Sequence, residues 1–272
     1  MKTMLFAASL VLAAAPPALA AFEELELGVA DQAMGSTGVM GTGAVSVLSN
    51  PASPAGSAGW SVTASSRLPF SITDLATHGL DVSMPLRGTW RGSASIRQFG
   101  FSEYSEQMVA VTISGMLGRE LAFGIQPTLG AVSIGDGVSS YGSATALSLN
   151  AGFQARICGR WRIGASVRNP FESGIGESGE HLERRIDAGV AYEPSAGMES
   201  RFSLSRDFRG TRVHAGQAVP VGPLSLMAGV GTSPVTISGG LSACVSGVRL
   251  EYAVQSHPDL QPTHQAGITY VF

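Results

Sequence analysis

The stretch YGSATALSLNAGFQARIC, residues 141–158, alternates with a period of two. Leu147, Leu149, Ala151, Phe153 and Ile157 share one face, and Ser148, Asn150, Gln154 and Arg156 take the other. Successive side chains of an extended chain point to opposite sides, so this pattern describes a strand lying between an apolar and a polar environment. It returns in RWRIGASVRN (160–169), where Ile163, Ala165 and Val167 oppose Arg162, Ser166 and Arg168. In ERRIDAGVAYEP (183–194), Ile186, Ala188, Val190 and Tyr192 oppose Arg185, Asp187 and Glu193. In SGVRLEYAVQS (246–256), Val248, Leu250, Tyr252 and Val254 oppose Arg249, Glu251 and Gln255.

Roughly fourteen such segments, each about 8 to 12 residues, run from Gly59 to Phe272 between turns rich in Gly, Pro, Ser and Asp. Their centres fall near Thr63, Leu80, Ala94, Val111, Phe123, Leu149, Ala165, Val190, Leu204, His214, Leu226, Ile237, Leu250 and Ile268. A soluble β-sandwich alternates too, but here the polar face carries arginines and acids in mid-strand, which a dry core would bury only at several kcal/mol per ion. The lumen of a membrane barrel keeps them wet or paired. Aromatics stand near segment ends, at Trp60, Trp90, Tyr104, Tyr141, Trp161, Tyr192, Tyr252 and Tyr270, as an interfacial girdle requires. The chain closes on HQAGITYVF with Ile268, Tyr270 and Phe272 on one face, the form of a closing strand in bacterial outer-membrane proteins. The expected fold is therefore all-β: an antiparallel transmembrane β-barrel of about fourteen strands in the bacterial outer membrane.

Composition agrees with this reading. The 272 residues include 35 glycines and only 14% charged residues, with a mean hydropathy of +0.21 and no sustained apolar run after residue 20. Residues 1–20, MKTMLFAASLVLAAAPPALA, have the charged start, apolar stretch and small-residue end of a secretory signal peptide. No cysteine follows the expected cleavage site, so no lipid anchor is expected. Without Lys2 the chain carries 16 arginines against 20 acids, a net charge near −4, which is no nucleic-acid surface. Cys158 and Cys244 could pair in an exported chain, but their spacing does not decide it, and they are read as small apolar residues.

From Gln32 to Ser66, 35 residues pass without Asp, Glu, Lys or Arg. Glycines at 35, 38, 41 and 43 and prolines at 51 and 54 break this stretch too often for a spanning helix. A small, neutral segment can pack inside a barrel without bringing charges that need partners. Residues 21–58 are thus expected to form a hatch in the lumen, and residues 59–272 the barrel.

LELGVADQAMGSTGVMGTGAVSVLSNPASPAG (25–56) resembles the N-terminal signature of the PorV/PorQ and FadL-like outer-membrane proteins: G-x-x-A-x-x-M-G, a glycine-rich apolar stretch, then N-P-A-G. Gly28, Ala33, Met34, Gly35, Asn50, Pro51 and Ala52 occupy the matching places, whereas Val47, Leu48 and Ser49 replace an acidic pair and an aromatic, and Ser53 replaces the final glycine. RWRIGASVRNPFESG, RRIDAGVAYEP, RFSLSRDF and LEYAVQSHPDLQPTHQAGITYVF resemble, in order, the family's later strands. The resemblance implies a fourteen-stranded barrel with an N-terminal hatch, formed around the motif Gly35, Asn50, Pro51 and Ala52. It also implies one of two roles. The first is PorV/PorQ-like service to protein secretion or surface attachment, with secretion components or exported cargo as partners. The alternative is FadL-like passive transport of hydrophobic small molecules, and a plugged, purely structural barrel is a third reading. Outer-membrane lipid is the partner common to all three.

Arg91, Arg97, Arg156, Arg162, Arg168, Arg185, Asp187, Arg249 and Glu251 fall on the face expected to line the lumen, where they either form a polar path or pair among themselves. GSTGVMGTG lacks the lysine and the strand-loop-helix setting of a phosphate loop. His257 and His264 flank a turn without a carboxylate or thiol cluster to complete a metal site. No nucleophile elbow is present. No enzyme activity, cofactor or metal is expected.

Overall fold

The computed structural model describes residues 21–22, 25–136, 139–176 and 180–272; the expected signal peptide lies outside them. Fourteen antiparallel strands form a closed barrel in which every strand pairs with its sequence neighbours and the last pairs with the first. They are β1 Ser61–Leu68, β2 Thr77–Pro85, β3 Trp90–Gly100, β4 Tyr104–Leu117 and β5 Leu121–Gly135. Then follow β6 Ser140–Ile157, β7 Trp161–Arg168, β8 Arg185–Ser195, β9 Met198–Asp207 and β10 Gly210–Val221. β11 Leu224–Gly231, β12 Thr236–Val245, β13 Val248–Gln255 and β14 Thr263–Val271 complete the wall. Closure satisfies the backbone N–H and C=O groups between strands, which is what lets a sheet stand in hydrocarbon.

Each of the fourteen expected centres falls in a separate strand. The first begins at Ser61 rather than Gly59, because Gly59, at φ +70°, still turns the chain into the wall. β4, β5 and β6 are longer than the expected segments, at 14, 15 and 18 residues, and raise one side of the barrel. The outward face is apolar and exposed, as at Ile96, Val111, Ile113, Leu129, Leu226 and Val230, while the inward positions of the same strands are buried. So large a continuous apolar exterior has its match in lipid, and the protein is an outer-membrane barrel.

The barrel's two ends differ. At the end holding the beginning of β1 and the end of β14, the six turns span two to four residues. Each of them contains a glycine at φ between +61° and +81°, namely Gly88, Gly118, Gly159, Gly197, Gly222 and Gly247, a backbone conformation that side-chain-bearing residues resist. At the opposite end connections reach sixteen residues, between Arg168 and Arg185. Short turns mark the periplasmic side and long loops the extracellular side. The periplasmic rim carries outward aromatic pairs, Trp90 with Phe123 at 5.2 Å and Trp161 with Tyr192 at 4.5 Å between centroids. Tyr104 departs from the expected girdle. It faces the lumen, and its hydroxyl donates to Glu106 at 2.6 Å, because the inward positions of β4 are the even-numbered ones. Cys158 and Cys244 are unpaired and exposed rather than packed, since both lie at or near periplasmic turns.

Candidate functional site

Residues 25–58 lie within the barrel and are almost entirely buried. A short helix, α1 Val29–Ala33, and two single-turn 3₁₀ segments at Gly38–Met40 and Ala44–Ser46 keep this hatch compact. Val29, Ala33 and Met34 pack on Ala218, Met227 and Ala253, while Leu25, Val47 and Leu48 pack on Met108 and Ala110. Its small residues meet inward-facing wall glycines. A β-carbon at Gly216 would stand 2.3 Å from Met34 O, and one at Gly229 would stand 2.1 Å from Gly35 N. Much of the chain's high glycine content thus serves close backbone approach between hatch and wall.

The motif residues sit on this contact. Gly35, at φ +74°, is hemmed by the backbone of Ala215 and Val230; its N–H donates to Ser238 Oγ at 3.0 Å, and its carbonyl accepts from His214 Nδ1 at 2.7 Å. Asn50 is fully buried. Its Nδ2 donates to Val39 O at 2.9 Å and to Phe153 O of the wall at 3.2 Å, and its Oδ1 accepts the Ala52 N–H at 3.0 Å. Pro51 and Ala52 lie on β5, where a β-carbon at Gly124 would come within 2.1 Å of Pro51 O. The Asn-Pro-Ala turn is therefore docked on β5 and β6.

The hatch carries two described carboxylates, and wall arginines hold both. Asp31 is bound by Arg201 at 2.7 Å and by Ser46 Oγ at 2.6 Å. Glu26 is bound by Arg168, by Arg185 at 3.3 Å and by Ser49 Oγ at 2.7 Å. Burial pushes the Glu26 carboxyl upward, but Arg168, Arg185 and the Ser49 hydroxyl outweigh it and hold the group at about 2. A depressed pKa means this contact is at full strength above the ordinary carboxylate value of 4.5 and is lost as pH falls toward 2. At about 1.4 kcal/mol per unit, the interaction is of the order of 3 kcal/mol. Glu26→Gln is expected to raise protease cleavage of the hatch at pH 7 in the folded barrel, whereas wild type stays resistant until below about pH 4. Equal resistance in the two proteins would refute this.

Each arginine and acid expected in the lumen has a definite place. Arg97 is fully buried and joins Asp81 in a two-pronged pair at 2.8 and 2.9 Å, while its Nε donates to Leu25 O at 3.0 Å. Arg91 donates to Ser57 O at 2.8 Å and Gly59 O at 2.6 Å, clamping the hinge between hatch and β1. Arg162 binds Glu193 at 3.0 Å, Glu199 and Met40 O. Arg185 binds Asp187 at 2.9 Å as well as Glu26. Glu251 is buried, whereas Arg156 and Arg249 are exposed at the periplasmic end. Arg201, which also binds Glu199 at 2.8 Å, was missed, although Arg201, Ser203 and Ser205 alternate plainly with Phe202 and Leu204. His257 and His264 do not converge: His257 Nδ1 accepts from two loop amides, and His264 Nδ1 meets the Tyr252 hydroxyl at 2.6 Å.

The hatch divides the lumen. Above it is an outer vestibule of about 420 Å³ with Gln32, His214 and Arg212 in its walls, and below it a periplasmic vestibule of about 500 Å³. Beside it, in the outer half, runs a narrow crevice of about 70 Å³ lined by Phe22, Leu25, Leu48 and Met108, with Glu26, Arg168 and Arg185 also in its wall. The wall beside the crevice has an interruption. Between Ala110↔Thr128 and Ile113↔Ile125 the β4–β5 pairing lapses, where Pro127 has no N–H to give. On the lumen side Gln126 spans the lapse, donating to Thr112 Oγ1 at 2.7 Å and Val47 O at 3.2 Å.

No protein-family model and no curated protein matches the chain. Among solved structures it is similar to the Ralstonia pickettii toluene transporter TbuX, with a TM-score of 0.71 at 11% identity over 92% of this chain and 99% of that one. It is also similar to the Pseudomonas putida toluene transporter TodX, with a TM-score of 0.69 at 12% identity over 89% and 97% of the two chains. A Pseudomonas aeruginosa FadL homologue gives 0.65 at 9% identity over 90% and 98%. The shared feature is the fold: a FadL-type barrel.

Proposed function

We propose that the protein is a gated passage for small hydrophobic molecules across the outer membrane. The observation that carries this reading is the crevice between hatch and wall, which has an apolar side and a polar one. It offers Phe22, Leu25, Leu48 and Met108 to a solute, and the hatch closes the lumen below it. Similarity in fold to barrels described as toluene transporters supports small apolar molecules over exported proteins as the cargo. A solute that binds better when the hatch is displaced shifts the hatch toward that state by its difference in affinity, with no energy source required. The lapse at Pro127, next to the crevice residue Thr128, offers the solute a route toward lipid once Gln126 lets go.

The test uses N-phenyl-1-naphthylamine, a neutral aromatic probe that fluoresces on reaching a membrane interior. Cells lacking the protein are expected to take it up several-fold more slowly than cells expressing it. Equal rates combined with loss of a secreted protein would instead support the export role.

A further inference from the structure

We propose that the periplasmic vestibule binds an oxyanion, the phosphate or carboxylate group of a molecule arriving from the periplasmic side. The site is independent of whether the outer half passes hydrophobic solutes. The vestibule is roofed by the hatch, and its walls carry the Ser61 hydroxyl and the Thr63–Thr269 hydroxyl pair, which lie 2.9 Å apart and leave one O–H free to donate, together with the guanidinium groups of Arg119 and Arg249. Among the described residues neither arginine forms an ion pair. Glu251, two positions further along the inward face of β13, makes no direct ion pair with Arg249 among the described residues, although the two charges still attract at longer range.

The rest of the charge does not cancel them. Glu193 is committed to Arg162 at 3.0 Å and reaches Arg156 at 3.8 Å, which leaves Glu120 as the one other acid in the lining. Four arginines therefore face two acids in one concave mouth. Arg91, at the same end, spends its donors on the carbonyls of Ser57 and Gly59 and the Ser83 hydroxyl, and adds positive charge without a carboxylate partner among the described residues. The outer vestibule differs, since Arg185 and Arg212 there are engaged by Glu26 and Asp207. Low-dielectric walls focus such a field, and guanidinium forks with hydroxyl donors fit the geometry of phosphate and carboxylate oxygens.

The full-length protein in neutral detergent is titrated calorimetrically, at low salt, with inorganic phosphate and separately with dodecyl phosphate. The comparison protein is the double variant Arg119→Gln/Arg249→Gln, both exposed positions, with barrel closure verified by heat-modifiable gel migration. Binding in wild type that weakens at least about tenfold in the double variant supports the site, because two charge-assisted contacts are removed together. If inorganic phosphate alone shows this loss, the ligand is a free oxyanion; if only dodecyl phosphate does, it is a headgroup. Equal affinity in the two proteins, or no binding of either probe to wild type, overturns the proposal. Should the double variant fail to close, Arg119→Gln alone, in a turn outside the ladder, carries the same comparison.

Discussion

Deleting residues 25–56 is expected to turn the barrel into an open pore. The wall does not depend on the hatch for closure, since β1 pairs along its whole length with β14 and from Ser61 to Arg67 with β2. What the deletion removes is the material between the two vestibules and the hatch partners of Arg97, Arg168 and Arg201, while Asp81 and Glu199 of the wall stay on Arg97 and Arg201. Water replaces those partners, because a lumen lined by Arg, Asp, Ser and Thr is one that water wets. About eight strands give an interior that side chains alone fill and about sixteen leave an aqueous channel, so fourteen strands freed of the hatch stand near the channel end of that range and are expected to admit a small sugar. Liposomes containing the deleted protein should swell in arabinose at least about tenfold faster than those containing wild type. Unchanged swelling with a closed, heat-modifiable barrel would show that the hatch is not what blocks the lumen.

The second large effect is expected from Asn50→Asp. The native side chain gives two hydrogen bonds to carbonyl oxygens and takes one from a backbone amide, with nothing to spare. Aspartate keeps the shape and the acceptor but loses both donors and points a charge at Val39 O and Phe153 O. An unpaired charge in such a site costs several kcal/mol, more than the other contacts of this turn can restore. Because Phe153 belongs to the wall and Val39 to the hatch, the loss falls on their junction. Hatch cleavage by added protease should rise at least tenfold on the scale of about 1.4 kcal/mol per decade, while gel migration of the barrel stays native. Failure to assemble would instead make the turn part of the fold.

The contrast between these two variants reflects what could be read from the sequence. A strand dividing lipid from lumen imposes a period of two, so Leu147 to Ile157, or Leu250 and Tyr252 against Arg249 and Glu251, declare both strand and direction. Short turns built on glycine separate them cleanly, and all fourteen segments were legible for that reason. Strand length was not, because β4 to β6 continue past the membrane in polar, alternating sequence that nothing local terminates. Partnerships across the lumen were also hidden. Glu26 and Arg168 are 142 residues apart, as are many such contacts, and alternation reports the face of a residue but not its opposite number. The neutral run from Gln32 to Ser66 pointed to a packed hatch, yet the acids that fasten it lie just outside that run, at Glu26 and Asp31. The β4–β5 lapse could have been suspected from Pro127 inside an otherwise regular strand.

A reversible lock on the hatch tests the account most directly. A β-carbon built at Gly267 lies 2.9 Å from Val29 Cγ2, with the nearest backbone atom, Ala64 O, at 3.7 Å, so side chains at 29 and 267 meet across the contact between hatch and β14 and are the pair chosen for a disulfide. In a chain carrying Val29→Cys and Gly267→Cys, with Cys158 and Cys244 replaced by serine, α1 can be tied to β14 and released by a reductant. Entry of N-phenyl-1-naphthylamine into cells is then measured in both states. If the hatch gates the passage, the oxidised protein matches cells that lack it and dithiothreitol restores the wild-type rate. The same rate with the lock closed and open would contradict it.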